Sequence, residues 1–431
     1  CLRLEHKRDI DQGDKTDGEA GPDTVTLPPR RYAWLVFLLT FGLMLSDYMS
    51  RQVINAVFPV LKLEWSLTDS QLGLLVSLVA LLVGVMSFPI ALLADRVGRV
   101  KAVTAMALVW GLATIWCGLT GNFMQMLLAR ALVGLGEAGY GGAGGAILVS
   151  VFPPRLRATV IGAFFSAGLF GSVLGVALGG LIAQHYGWRM AFIVIGAAGL
   201  LLALVYPLMV KEPARVGPAV AKIPLRTVIS ALFATRTARW NYLGSGLQMF
   251  VQGSVLAWLP SFFNRHHGMD LAQAALYAAL VLLTGAVGMM ICGAVADRAS
   301  LRTPRNRLRL PALYALLACP LLIAAFTMPP GPLQIAVIAA GAFFTGGHAG
   351  PCGAVATDVT NPAIHATVIA TVALANNILG LAPGPLLTGV TADFIGLDRA
   401  LQLMPLVGLV AAAAFLRAAR YYDEDCIQGA S

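Results

Sequence analysis

Apolar residues run along this chain in blocks far longer than the helices of a soluble core. Six blocks fall near residues 33–57, 70–93, 101–120, 123–150, 158–184 and 188–210. Six more follow near 240–263, 271–296, 308–328, 332–356, 363–390 and 398–420. Each holds the roughly 20 apolar residues needed to cross about 30 Å of hydrocarbon. The glycines and prolines within them are tolerated in membrane helices, where neighbouring helices and polar side chains satisfy the freed backbone groups. The pattern predicts an all-α membrane protein of twelve transmembrane helices.

The polar remainder sets the organisation. Residues 1–30 carry Asp, Lys, Gly and Pro without an apolar run, and read as a disordered tail with no signal peptide. Residues 211–239 are basic and Pro-containing, too short of apolar residues to span, and read as a linker. Residues 421–431 read as a second polar tail. Two six-helix bundles, 31–210 and 240–420, remain.

The two bundles are related. Ala94-Asp95-Arg96-Val97-Gly98 has an echo in Ala296-Asp297-Arg298-Ala299-Ser300, 202 positions later. Arg157-Ala158-Thr159-Val160-Ile161-Gly162 recurs as His365-Ala366-Thr367-Val368-Ile369-Ala370, offset by 208. Two parallel copies of one membrane unit are the usual construction of a secondary transporter, with the substrate site near the midplane where the copies meet.

Composition narrows the class. Charged residues make up only 12% of the chain, against roughly 25% in soluble domains, and mean hydropathy is +0.77. The net charge of +9 would suit a nucleic-acid partner, but its distribution argues against one. With the N-terminus inside, the inner loops and linker hold sixteen Lys and Arg, whereas the outer loops hold Lys62, Arg189, Arg265 and Arg399. That bias places both termini in the cytoplasm of an inner (plasma) membrane protein. The six cysteines form no CxxC pair, so neither disulfides, a metal site nor a cofactor is expected.

The loop Ala91-Leu92-Leu93-Ala94-Asp95-Arg96-Val97-Gly98-Arg99-Val100-Lys101, with twelve spans and a central linker, resembles the hallmark of the major facilitator superfamily between its second and third helices. The fourth and fifth spans resemble two groups within it, the spinster-like transporters and the anion:cation symporters. The likeness lies in Arg130, Gly134, Gly136-Glu137-Ala138-Gly139, Phe152-Pro153-Pro154, Arg157-Ala158-Thr159 and Gly187-Trp188-Arg189-Met190-Ala191-Phe192. Both groups carry an adjacent Asp-Arg eight residues before a Pro in the first span. Here Arg51 stands eight before Pro59, Ser50 takes the acid's place, and Asp47 lies one turn earlier.

Ionisable residues inside spans are costly and mark a substrate or ion path by default. Asp47, Arg51 and Asn55 form one stripe on the first span. Arg130 and Glu137 share a face of the fourth, and the resemblance places these two helices across a central cavity. Glu137 is the first choice for a proton carrier and Asp47 the second. Arg51 or Arg130 is the expected anion partner, since a guanidinium grips a carboxylate in a fork. The alternative is a structural ion-pair network locking the two helices together. In the second half Gln248 and Gln252, on the seventh span, and Asn377, in the eleventh, are candidates for hydrogen bonds to substrate. A lone buried His348 reads more readily as a helix contact. By the resemblance, Asp95, Arg96 and Arg99, with Asp297 and Arg298 as the weaker counterpart, serve gating rather than substrate contact.

The expectation is a monomeric, proton-coupled secondary transporter of a small organic anion, with protons, the substrate and the bilayer as its partners. The runner-up is a spinster-like carrier of lysophospholipid. An enzyme would have to rest on His266, His267 and Asp270 in an outer loop, and a sensor would need an added domain; neither is expected.

Overall fold

The computed structural model describes residues 28–212, 232–361 and 364–429, and all regular structure among them is helical. Twelve spans follow the apolar blocks. The first three are Arg30–Glu64, Asp69–Val97 and Arg99–Leu119. The fourth, Phe123–Val151, breaks after Glu137 and restarts at Tyr140. The fifth and sixth are Pro154–Tyr186 and Trp188–Met209. The second half opens with Arg236–His267, Leu271–Ser300 and Asn306–Thr327. The tenth span runs as Pro332–Thr345, a tight turn at Gly346–His348, and Ala349–Asp358. The eleventh passes through a wider π turn, Asn376–Leu381, between His365–Ala375 and Pro383–Ile395. The twelfth, from Leu397, stays helical to Gly429, past the point where the apolar pattern stops.

Eleven of these spans are apolar enough to cross a membrane by mean hydropathy. The seventh falls short because Asn241, Ser245 and Gln248 line it, all buried against other helices. Helix ends are set locally. Thr68 and Gln71 form a reciprocal capping box on the second span. The tight joints between spans five and six and between eleven and twelve use Gly187 (φ 84°) and Gly396 (φ 87°), a backbone region that L side chains rarely occupy. These two glycines are repeat-related, so the copies share their joints as well as their helices.

Small residues decide which helices touch. Gly171, Gly175 and Gly179 of the fifth span lie on Leu45, Met49 and Val53 of the first, leaving no room for side chains. Gly141 and Gly145 of the fourth span pack less closely, since a methyl there would make only ordinary contacts, to Phe165 and Ile161.

The halves meet along spans two with eleven, five with eight, and one with seven. Between described residues, the hydrogen bonds that join the halves all sit at one end, opposite the end bearing Arg30 and Gly429. There Arg265 of the seventh span grips Asp69 of the second with both prongs, at 2.9 and 2.7 Å, and Lys62 adds a bond to Asp69 of 2.7 Å. Asp393 of the eleventh span accepts from the backbone N–H groups of Asp69 (2.7 Å) and Ser70 (2.9 Å), capping the second span from the other half. Gln184 accepts from the Leu271 N–H at 3.1 Å. Beneath these, Phe58 and Trp258 pack ring on ring at 5.2 Å, and Gly180 admits Ala275 where a methyl would collide. One end is thus sealed, while the end bearing the termini is not bridged by hydrogen bonds between described residues of the two halves.

Candidate functional site

Between those ends, the break in the fourth span delivers the central carboxylate. Ala138 turns extended (φ −65°, ψ 122°) and Gly139 left-handed (φ 89°), so the helix stops at Glu137 and restarts at Tyr140. Tyr140 pins the restart by donating its hydroxyl to the Thr40 carbonyl at 2.6 Å and packing edge-on to Trp110 at 5.1 Å. Glu137 therefore points across at the first span instead of continuing the ladder.

Arg51 meets it there. Its Nε donates to Glu137 Oε2 at 3.1 Å, and its Nη2 lies 2.9 Å from the same oxygen. One turn earlier Asp47 stands 4.0 Å from Nη2, and the guanidinium sits over the Tyr48 ring at 5.0 Å. The three charged groups differ in access. The Glu137 side chain is fully buried and that of Asp47 is 5% exposed, whereas Arg51 is 15% exposed. Asp47 Oδ1 and Glu137 Oε1 have no hydrogen-bond partner, which leaves acceptor capacity for a proton or a ligand.

Arg130 sits apart from that group. It is completely buried, and its fork is occupied by three backbone carbonyls: Leu75 at 3.2 Å, Ser50 at 3.1 Å and Arg51 at 3.2 Å. It braces spans one, two and four. Asn55 donates to Gln52 at 2.6 Å rather than to the acids.

The second half repeats this layout without charge. Pro59 and Pro260 occupy equivalent places in spans one and seven, 201 positions apart. The same offset carries Asp47 onto Gln248 and Arg51 onto Gln252. The repeat offset of 208 carries Glu137 onto Thr345, where the tenth span tightens into its turn. Gln248 Nε2 and His348 Nδ1 converge on the Thr345 carbonyl, at 3.4 and 3.0 Å, leaving Gln248 Oε1 and His348 Nε2 unpartnered. Gln252 lies beside the same turn at Gly346. Asn377 lies in the π turn of the eleventh span against Gly84 of the second, donating to Ala373 at 2.9 Å.

The structure thus gathers Asp47, Arg51 and Glu137 into one cluster and Gln248 and Gln252 around a second, with Arg130, Asn55 and Asn377 nearby but turned to other partners. Tyr48 was missed and could have been found, since it lies next to Asp47 and one turn before Arg51. His348 makes a helix contact as read, to the Thr345 carbonyl, but its meeting with Gln248 there was not legible, because both bonds are to backbone. Among the residues expected to gate, Arg96 and Arg99 lie at the second-to-third-span joint and Asp297 and Arg298 are exposed at the end of the eighth; the Asp95 side chain lies outside the described residues. His266 and His267 do not lie in a loop but form the last turn of the seventh span, where His266 faces Asp398 (3.3 Å) and stacks on Phe262, while Asp270 caps the eighth span through the Gln273 N–H (2.8 Å).

A two-fold helical membrane fold, sealed at one end, with a buried charged cluster between the first and fourth spans, is the architecture of a secondary transporter. The profile of the Major Facilitator Superfamily matches residues 37–378. A Cupriavidus necator protein described as a probable sulfoacetate transporter is 30% identical over 275 residues, covering 61% of this chain and 64% of that protein. A Mycolicibacterium smegmatis MFS-type efflux pump is 28% identical over 94% of this chain and 96% of its own length. A Pseudomonas putida gallate transporter is 26% identical over 74% of this chain and 77% of that one. The crystal structure of a bacterial homolog to the human lysosomal transporter spinster, inward-facing and unoccupied, superposes with a TM-score of 0.84 at 25% identity, covering 92% of this chain and 99% of that one. The chain belongs to the Major Facilitator Superfamily, as a multi-pass membrane protein.

Proposed function

We propose that this protein is a proton-coupled secondary transporter of small organic anions, acting by alternating access and leaving its cargo chemically unchanged. The observation that carries the reading is the Asp47–Arg51–Glu137 cluster, in which the guanidinium is the member open to solvent and both carboxylates lie behind it. With both acids ionised the three groups carry one net negative charge, and one proton makes them neutral. An anionic substrate that takes the Arg51 fork draws positive charge away from Glu137, and a proton on that carboxylate restores the balance. Substrate and proton binding are thereby linked in sign. Gln248 and Gln252 supply neutral hydrogen bonds from the opposite half. Sulfoacetate and gallate, the cargo named for two relatives, are both small anions.

The positive-inside bias sets both termini in the cytoplasm of the plasma membrane, so the sealed end faces outward and this conformation opens inward. The moving bodies are the bundles 31–210 and 240–420, joined by 211–239, in a monomer. Asp95, Arg96 and Arg99, with Asp297 and Arg298, close the cytoplasmic side in the opposite state.

Thermal shift of the detergent-purified protein against sulfonates, sugar acids and aromatic carboxylates tests the cargo class, because a ligand of the folded state raises its melting point by mass action. In proteoliposomes, Glu137→Gln is expected to abolish pH-gradient-driven accumulation while keeping counterflow exchange of the bound anion. Undiminished accumulation would remove Glu137 as the carrier. The spinster-like fold neighbour favours a second reading, which shifts given only by lysophospholipids would establish.

A further inference from the structure

The twelfth and seventh spans meet at the end bearing the termini, and there they form a basic pocket that the transport cycle does not use. A cavity of about 380 Å³ is lined by Arg236, Arg239, Trp240, Leu243 and Tyr421. The Arg236 guanidinium lies over the Tyr421 ring at 5.2 Å, and Arg417 lies over the Trp240 ring at 5.1 Å, one turn deeper on the twelfth span. Arg236, Arg239 and Arg417 are exposed, and none of them forms an ion pair with a described carboxylate. Two neighbouring acids have other hydrogen-bond partners. Asp425 accepts from the Thr237 N–H at 2.7 Å, and Asp423 pairs with Arg305 at 2.7 Å. Arg236 and Arg417 are thus held on aromatic faces, Arg239 reaches the Thr235 carbonyl at 3.4 Å, and none of the three is ion-paired with a carboxylate among the described residues.

The arrangement is amphipathic along the membrane normal. Arg236 is the first residue of its helix, Trp240 lies one turn further in, and Leu243 almost two. Trp and Tyr mark the headgroup level of a bilayer, so the arginines stand at phosphate depth and Leu243 at the start of the acyl chains. A water-soluble anion would use the first part of this gradient only, whereas a phospholipid uses both.

We propose that this pocket binds the headgroup of an anionic phospholipid from the surrounding leaflet. Its phosphate is held between Arg236 and Arg239, Arg417 completes the positive field, and its upper acyl carbons lie on Trp240 and Leu243. Basic pockets between membrane helices hold anionic headgroups in this way. Because the two spans carrying the pocket both belong to the second half, the lipid steadies that half as a unit.

The test uses the full chain purified in a non-ionic detergent and relipidated with defined amounts of phosphatidylglycerol, phosphatidylcholine or soluble glycerol phosphate. Apparent affinity is read from thermal shift and from lipid retained in native mass spectra. Phosphatidylglycerol is expected to raise the melting point and be retained, with phosphatidylcholine and glycerol phosphate giving little of either. A basic residue at an anionic surface contributes about fivefold in affinity, so Arg236→Gln with Arg239→Gln should weaken retention by roughly 25-fold. Arg302→Gln, on the same face but outside the pocket, should leave it unchanged. Equal retention by the double variant, or equal shifts with phosphatidylcholine, would overturn the proposal. A shift with glycerol phosphate as large as with phosphatidylglycerol would overturn the lipid as its source. If the double variant is too unstable to purify, Leu243→Asn offers a second route, expected to lower phosphatidylglycerol retention and leave any response to glycerol phosphate as it was.

Discussion

At the residue scale, two arginines within the spans, alike in chemistry, do different work, and their surroundings say which does what. Arg130 gives its whole fork to three carbonyls, while Arg51 holds carboxylates and reaches solvent. The same conservative change should therefore give opposite readouts. Lysine keeps the charge but loses the planar fork. Arg130→Lys can keep only part of the carbonyl set, and hydrogen bonds to a charged group contribute roughly 1.5–3 kcal/mol each. It is expected to lower the melting temperature clearly and to change anion affinity little in the fraction that remains folded. Arg51→Lys still compensates Asp47 and Glu137, so its melting temperature should stay near the parent's, while affinity for a carboxylate falls by about tenfold with the lost second prong. Thermal unfolding and anion titration of both variants check this; a weaker anion site in Arg130→Lys with unchanged melting would exchange the two roles. Part of this was open to view in the sequence, because a stripe of Asp47, Arg51 and Asn55 at helical spacing is visible in any listing of residues. The division of labour was not, since a bond to a backbone carbonyl leaves no trace in side-chain identity.

At the scale of elements, the interruptions matter more than the spans. Apolar blocks locate the spans because lipid demands a fixed length of apolar residues. The break after Glu137 was legible only as a run of glycines, and the matching turn at Gly346–His348 only as a Gly-Gly pair. What those glycines do depends on backbone geometry. Gly139 adopts φ 89°, and a methyl there would also press on Ile90. A left-handed backbone costs an L residue about 1–2 kcal/mol, so Gly139→Ala is expected to drive the fourth span back toward a continuous helix. That would rotate Glu137 away from Arg51. Gradient-driven uptake in proteoliposomes should then fall well below the parent while the protein still inserts and purifies. Uptake at the parent level would show that the carboxylate does not depend on the break for its position. The tenth span makes the complementary point: the offset carrying Asp47 and Arg51 onto Gln248 and Gln252 makes the second cluster a neutral copy of the first. The carboxylates and the guanidinium of the pair of clusters then all lie in the first half.

At the scale of the molecule, the two halves are joined by contacts between residues 87 to 324 positions apart, such as Asp69 with Arg265 and with Asp393. No periodicity reveals these. The nearest sequence signal was that Lys62 and Arg265 are two of the few basic residues expected outside. In the structure they close the face that the cargo must cross in the other half of the cycle. Asp69 is 3% exposed, and removing the bidentate partner leaves Lys62 as the one cation for Asp69 and the adjoining Asp393, a net negative charge that opening to water relieves. Arg265→Ala should therefore favour the opposite conformation, in which the face carrying Phe58 and Trp258 parts. A loss of only about 1.4 kcal/mol across the interface changes the ratio of the two states tenfold. Phe58 is fully buried beneath the latch, so Phe58→Cys in a background stripped of the native cysteines reports its opening through maleimide labelling from that side. Labelling should rise about tenfold or more on adding Arg265→Ala and rise less with Arg265→Lys, which keeps one prong. The phosphatidylglycerol response of the basic pocket should stay as it was, since that pocket lies at the other end. If labelling does not change, packing of Gly180 on Ala275 and of Phe58 on Trp258 holds the face closed without the ion pair, and the gate is a steric one.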